Sequence, residues 1–103
     1  MKKENLQGVF SPVITPFNRD FTVDHKKLAK QCEWLISQEV GLAVFGTNSE
    51  ANSLSVDEKI FLLDKVIDYG IDPGKLMPGT GCCSMTDTIN LTKHAVKVGC
   101  AGV

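Results

Sequence analysis

Ala43-Val44-Phe45-Gly46-Thr47-Asn48-Ser49-Glu50 decides how the rest of this sequence is organised. An apolar run beginning at Leu42 stops at Gly46, and small hydrogen-bonding residues follow. A short apolar run bounded by glycine reads as a strand buried in a parallel sheet. Ser55-Val56-Asp57-Glu58 then opens a helix, so the intervening residues form a strand-to-helix loop. In parallel α/β folds such loops, at the carboxyl ends of the strands, are where ligands bind. Thr47, Asn48 and Ser49 place a hydroxyl, an amide and a second hydroxyl where a small anion can be held.

Working outward, strand and helix signals alternate. Val9-Phe10-Ser11-Pro12-Val13-Ile14-Thr15 reads as the first strand, although Pro12 cannot donate to a ladder and needs a free N–H position. Asp24 is a cap for a helix over 24–38, with Leu28, Cys32, Leu35 and Ile36 as its apolar stripe and Gly41 ending it. Ser55 and Glu58 form a capping box for a second helix, whose apolar face is Ile60, Leu63 and Ile67 with Leu62 and Val66 beside it. Tyr69-Gly70 closes that helix, and Asp72-Pro73-Gly74 is turn chemistry. A short third strand is expected over 75–78, then Gly79-Thr80-Gly81-Cys82-Cys83, then a third helix from Ser84 to about position 98. Cys100-Ala101-Gly102-Val103 reads as the start of a fourth strand.

Val40-Gly41-Leu42-Ala43-Val44 echoes Val98-Gly99-Cys100-Ala101-Gly102-Val103, and Gly46-Thr47 echoes Gly79-Thr80. Strand-plus-helix units of roughly thirty residues are the repeat of a parallel α/β sheet. Three units are complete and the sequence stops inside a fourth, which reads as a fragment of a larger domain. The expected organisation is a tail over residues 1–7 and one truncated domain over 8–103.

Composition narrows the function classes. With 103 residues, 43% hydrophobic and 22% charged, the chain is ordinary for a globular protein. Eleven basic against 12 acidic residues leave a net charge of −1, a field too weak to recruit nucleic acid or anionic lipid. No signal-peptide core or membrane span is read, so a cytoplasmic protein is expected. The four cysteines show no C-x-x-C spacing, and together with His94 they make a poor zinc set. Cys32 and Cys100 read as small core residues, Cys82 and Cys83 as reduced thiols in a loop. Gly79-x-Gly81-x-x-Ser84 lacks the third glycine of a dinucleotide fingerprint, and no phosphate loop occurs. Neither a cofactor nor a metal is expected.

Gly8-Val9-Phe10-Ser11-Pro12-Val13-Ile14-Thr15-Pro16-Phe17 resembles the opening strand of the dihydrodipicolinate synthase / N-acetylneuraminate lyase family. Asp24, Gly46-Thr47-Asn48-Ser49-Glu50, Leu54-Ser55 before Glu58, and Gly79-Thr80-Gly81 fall where that family has its own motifs. The resemblance runs from Gly8 to Val103. It implies a (β/α)8 TIM barrel of roughly three hundred residues, of which this chain is the first three βα units plus the start of strand four. It also implies a class I aldolase or lyase that forms a Schiff base between a lysine and pyruvate or another 2-oxo acid. Small-molecule substrates and a homotetramer are further implications.

The family motif after strand two is Gly-Thr-Thr-Gly-Glu or Gly-Ser-Thr-Gly-Glu. By resemblance Thr47 takes the place of the residue that binds the substrate carboxylate and shares a proton relay with a tyrosine. Asn48 takes the second hydroxyl position, able to donate to a carboxylate but with no relay proton. Ser49 stands for the glycine, in a loop that has no need of a positive φ there or tolerates it. Glu50 reads as structural, accepting loop N–H groups. Asn48 and Pro12 resemble the 4-hydroxy-2-oxoglutarate aldolase branch; the synthase of lysine biosynthesis is the alternative. A non-catalytic βα binding module is the alternative of another class.

A Schiff-base lysine must sit desolvated at a strand's carboxyl end. Lys26, Lys27, Lys30, Lys59, Lys65, Lys93 and Lys97 fall on helices and read as solvated faces, as His25 and His94 read as surface or half-buried. Lys2 and Lys3 are in the tail, and Lys75 precedes strand three. Tyr69, the one tyrosine, closes a helix. The nucleophile and the relay tyrosine are therefore not in this chain, which alone is expected to be inactive.

Overall fold

The computed structural model describes residues 6–103; positions 1–5 of the expected tail lie outside the described residues. Its helices start where the local capping chemistry places them. Asp24 Oδ1 accepts the Lys27 N–H at 3.1 Å, and α1 runs His25–Ser37. Ser55 Oγ accepts the Glu58 N–H at 3.1 Å while Glu58 Oε1 accepts the Ser55 N–H at 3.0 Å, opening α2, Val56–Asp68. Ser84 Oγ accepts the Asp87 N–H at 3.3 Å ahead of α3, Met85–Lys97. Each cap satisfies amides that a helix start leaves without partners. The turn after α1 is made at Glu39, whose φ is +63°, and not at Gly41.

The strands are shorter than the sequence suggests. β1 spans Phe10–Pro12 and β2 spans Gly41–Ala43, paired in parallel with Phe10 opposite Gly41 and Pro12 opposite Ala43. Outside the ladder, Gly41 N–H donates to the Val9 carbonyl at 2.8 Å and Val13 N–H to the Ala43 carbonyl at 3.0 Å. Residues 9, 11 and 13 thus face β2, and Pro12 occupies a position turned to the free edge, where its missing N–H costs no bond.

The third strand contracts to a parallel bridge between Leu42 and Leu76. Pro73–Lys75 is wound into a 3₁₀ turn, and Pro78 has no N–H to continue the ladder. Met77 and Gly79 still donate to the Leu42 and Val44 carbonyls at 2.8 and 2.7 Å. Ala101 N–H donates to the Leu76 carbonyl at 2.9 Å, so the segment expected as a fourth strand touches the third by that bond without being assigned a strand. Each segment lies beside its predecessor, in the order of the chain.

Helices cover one face of this sheet. Val13, Leu42, Val44 and Leu76 meet Leu28, Cys32, Leu62, Leu63, Val66 and Ala95 in a buried core. The buried stripe of α2 is Lys59, Leu62, Leu63 and Val66, which rotates the expected face and corrects the reading of Lys59 as solvated. Lys59 is only 4% exposed. It lies in period with Leu62, Leu63 and Val66, so its aliphatic stem packs with that stripe. The expected surface or half-buried histidines are both half-buried. His94 Nε2 lies 2.7 Å from Asp64 Oδ1 across α2 and α3.

Candidate functional site at the end of strand two

Past β2 the backbone turns sharply. Phe45 is buried yet adopts φ +59°, and Glu50 adopts φ +62°. A bulky side chain in the left-handed region is a real outlier, costing on the order of 1–2 kcal/mol. Such strain persists where the surroundings over-determine the backbone, and it clusters at functional sites. Between the two outliers Thr47–Ser49 forms a 3₁₀ turn closed by Ser49 N–H on the Gly46 carbonyl at 2.9 Å. Ser49, which stands for the motif's glycine, thus sits in a right-handed turn where a side chain costs nothing.

The neighbouring segments hold this turn from both sides. Thr15, beyond β1, is 5% exposed; its Oγ1 donates to the Ser49 carbonyl at 2.7 Å and its N–H to Glu50 Oε2 at 2.9 Å. Ser49 Oγ donates to the Ala43 carbonyl at 3.3 Å. On the other side Gly79 leaves no room: a Cβ there would lie 2.6 Å from the Phe45 carbonyl oxygen and 3.0 Å from Gly46 Cα. Glu50 is therefore a strap between the ends of two strands. Thr15 was missed in the sequence, where a threonine before a proline gives no local sign of what it will touch.

What the clamp presents is a pair of free side chains. Thr47 and Asn48 are exposed, and among the described residues neither side chain has a hydrogen-bond partner. Their backbone N–H groups open the 3₁₀ turn and have no acceptor among the described backbone bonds. A hydroxyl, an amide and free N–H groups on a rigid turn suit a carboxylate or a comparably small anion. Ser49 faces inward and is fully buried, so it is no part of that set.

The residues that could have supplied nucleophile or relay stay elsewhere. Lys75 ends the 3₁₀ turn leading into the third strand, at the amino side. Tyr69 OH lies 2.9 Å from His25 Nδ1, linking the end of α2 to the start of α1. Among the described residues no group of three metal-ligating side chains gathers, and no helix is long and apolar enough to cross a membrane.

The model of the dihydrodipicolinate synthetase family matches residues 5–103. This chain belongs to that family. A 4-hydroxy-tetrahydrodipicolinate synthase of Desulforamulus reducens is 36% identical over 104 aligned positions, covering all of the chain and 35% of the relative. Dihydrodipicolinate synthase from Agrobacterium tumefaciens superposes with a TM-score of 0.87 at 26% identity, over 91% of this family member and 33% of the solved chain. N-acetylneuraminate lyase of Proteus mirabilis gives 0.82 at 26%, over 96% and 34%. The chain thus spans about a third of the length of the proteins it matches, and its structural neighbours are TIM-barrel enzymes.

One consequence of the clamp is measurable in a polypeptide carried to the length of these relatives. Thr15→Val keeps the shape but leaves the Ser49 carbonyl, buried beside it, without its donor. The expected loss is about 1–3 kcal/mol, read as a lower urea midpoint at unchanged m-value. An unchanged midpoint would show that the Thr15 hydroxyl does not hold the turn.

Proposed function

We propose that this chain is the N-terminal part of a Schiff-base-forming aldolase or lyase acting on pyruvate or another 2-oxo acid. In this reading residues 8–103 are the first three βα units of a (β/α)8 barrel with the start of the fourth strand. Thr47 and Asn48 bind the substrate carboxylate, with the free N–H groups of their turn, and Thr47 also passes a proton. The lysine that forms the imine and the tyrosine that completes the relay belong to sequence outside this chain. Supporting the reading is one observation above the others: two unpartnered donors side by side, on a turn locked by Thr15, Glu50 and Gly79. Preorganised donors of that kind stabilise charge without rearranging during the reaction.

Two reactions stay within this proposal. The family relatives include a synthase and a lyase by name. Asn48, in place of a second hydroxyl, favours cleavage of 4-hydroxy-2-oxo acids, because its longer amide can reach a second polar group on the substrate. Pyruvate followed by borohydride tests the core of it. The polypeptide of family length should gain one pyruvyl group by mass spectrometry, and the 103-residue chain none. A stoichiometric adduct on the 103-residue chain, or none on the longer protein, would overturn the reading.

A further inference from the structure

Four cysteines divide into two unlike pairs. Cys32 and Cys100 are fully buried, and burial pushes their thiols up to about 12 and about 11. Cys82 is half-buried and Cys83 exposed, adjacent in the loop before α3, and all four are free thiols. That loop is fastened at each end of the cysteine pair. Cys82 N–H donates to Thr88 Oγ1 at 3.1 Å, and Thr92 Oγ1 to Thr80 Oγ1 at 3.1 Å. On the far side Ser84 caps α3. The two at least partly accessible thiols therefore belong to adjacent residues of a segment anchored to one helix.

We propose that Cys82 and Cys83 form a two-sulfur capture site for a soft, thiophilic centre, of the class of trivalent organoarsenicals. Adjacent Cα atoms are about 3.8 Å apart, shorter than the roughly 4.4–6.8 Å that disulfides span. A direct S–S bond would close a tight ring across a single peptide bond. A large atom inserted between the sulfurs widens that ring and removes the mismatch. Zinc is poorly served, because it takes four ligands and no third ligating side chain joins the pair among the described residues. An organoarsenical brings its own carbon substituent and asks for two sulfurs only.

The chemistry balances without an oxidant. An arsenoxide condenses with both thiols: two As–S bonds form, the As–O double bond and two S–H bonds break, and one water leaves carrying both protons. Arsenic remains trivalent and each sulfur remains at the thiolate level. Two sulfurs on one backbone segment act as a chelate, so the second bond forms at high effective concentration. Joining two binding events in this way strengthens retention by about 10²–10⁴-fold over one.

Phenylarsine oxide and the polypeptide of family length, which holds this loop in its full fold, test the site. One phenylarsenic group should map to the peptide holding Cys82 and Cys83. It should survive excess glutathione, a monothiol, and be stripped by 2,3-dimercaptopropanol. Cys82→Ser and Cys83→Ser, both in a loop outside the core, should each weaken retention against glutathione by about 10²–10⁴-fold. Circular dichroism identifies a variant that fails to fold. Loss of the group to glutathione from the wild-type protein of family length would overturn the proposal. So would arsenic found only on Cys32 or Cys100, or full retention in either variant.

Discussion

Replacing Thr47 by valine in the protein of family length is expected to lower kcat by about 10²–10⁴-fold, the usual worth of one positioned proton-transfer group. Valine keeps the branched shape and deletes the hydroxyl. Thr47 is exposed and its side chain has no partner among the described residues, so no bond within the fold is lost. Ser49, Glu50 and Thr15 hold the turn without it. The turn should survive, and the loss should fall on turnover. Asn48→Thr is the contrasting change, since it shortens a donor without touching the relay. Its expected effect is about 1–3 kcal/mol in kcat/KM between 4-hydroxy-2-oxo acids that differ in their polar groups, with pyruvate KM little moved. If Thr47→Val raised KM and left kcat alone, Thr47 would be a carboxylate ligand and no relay member. A uniform loss across substrates would assign the same limited role to Asn48.

Helix starts were legible because a cap is local. Asp24, Ser55 with Glu58, and Ser84 each bond an amide within the next turn, so the sequence within a few residues carries the whole signal. Strands were less so, because a ladder needs a partner and donors. Pro78 and the turn at Pro73–Lys75 reduce the third strand to one bridge that apolar composition does not foresee. Lys59 shows a different loss: its charge suggests solvent, while its spacing from Leu62, Leu63 and Val66 carries the information that decides its burial.

At the site, the free side chains of Thr47 and Asn48 could be read directly from residue type and position after an apolar run. The clamp beneath them could not. Thr15 and Ser49 are 34 positions apart, and nothing near either one marks the other. The positive φ at Phe45 was hidden as well, because Gly46 next to it is the residue that takes such a conformation at no steric cost. Gly79 lies so close to the Phe45 carbonyl that no Cβ fits between them, a long-range contact with no local mark in the sequence.

The 103-residue chain, prepared alone, is expected to associate or remain molten and not to be a stable monomer. Its Cα radius of gyration is 12.6 Å, close to the about 13 Å of a compact domain of about 100 residues. In this compact form the exposed apolar groups lie on a defined surface. Along the first strand Val13 and Thr15 are buried against the helix-covered side, while Pro12 and Ile14 are exposed, Ile14 by 56%. Phe10, Ala43 and Met77 are only half-covered. In the proposed barrel that face would be filled by side chains from the remaining strands. The edge of β1 is also unpaired at Phe10 and Pro12 among the described residues, and an open edge beside apolar surface is a template for a second chain. Light scattering after size exclusion should show mass rising with concentration, and a dye for exposed apolar surface should bind. Ile14 lines a shallow hollow with Lys27, Lys30 and Gln31, so Ile14→Glu puts a charge of opposite sign to those lysines on exposed apolar surface and should raise the monomer fraction at a given concentration. A monomer that melts in one sharp, concentration-independent transition would mean that helices on one side of the sheet suffice to hold this fold.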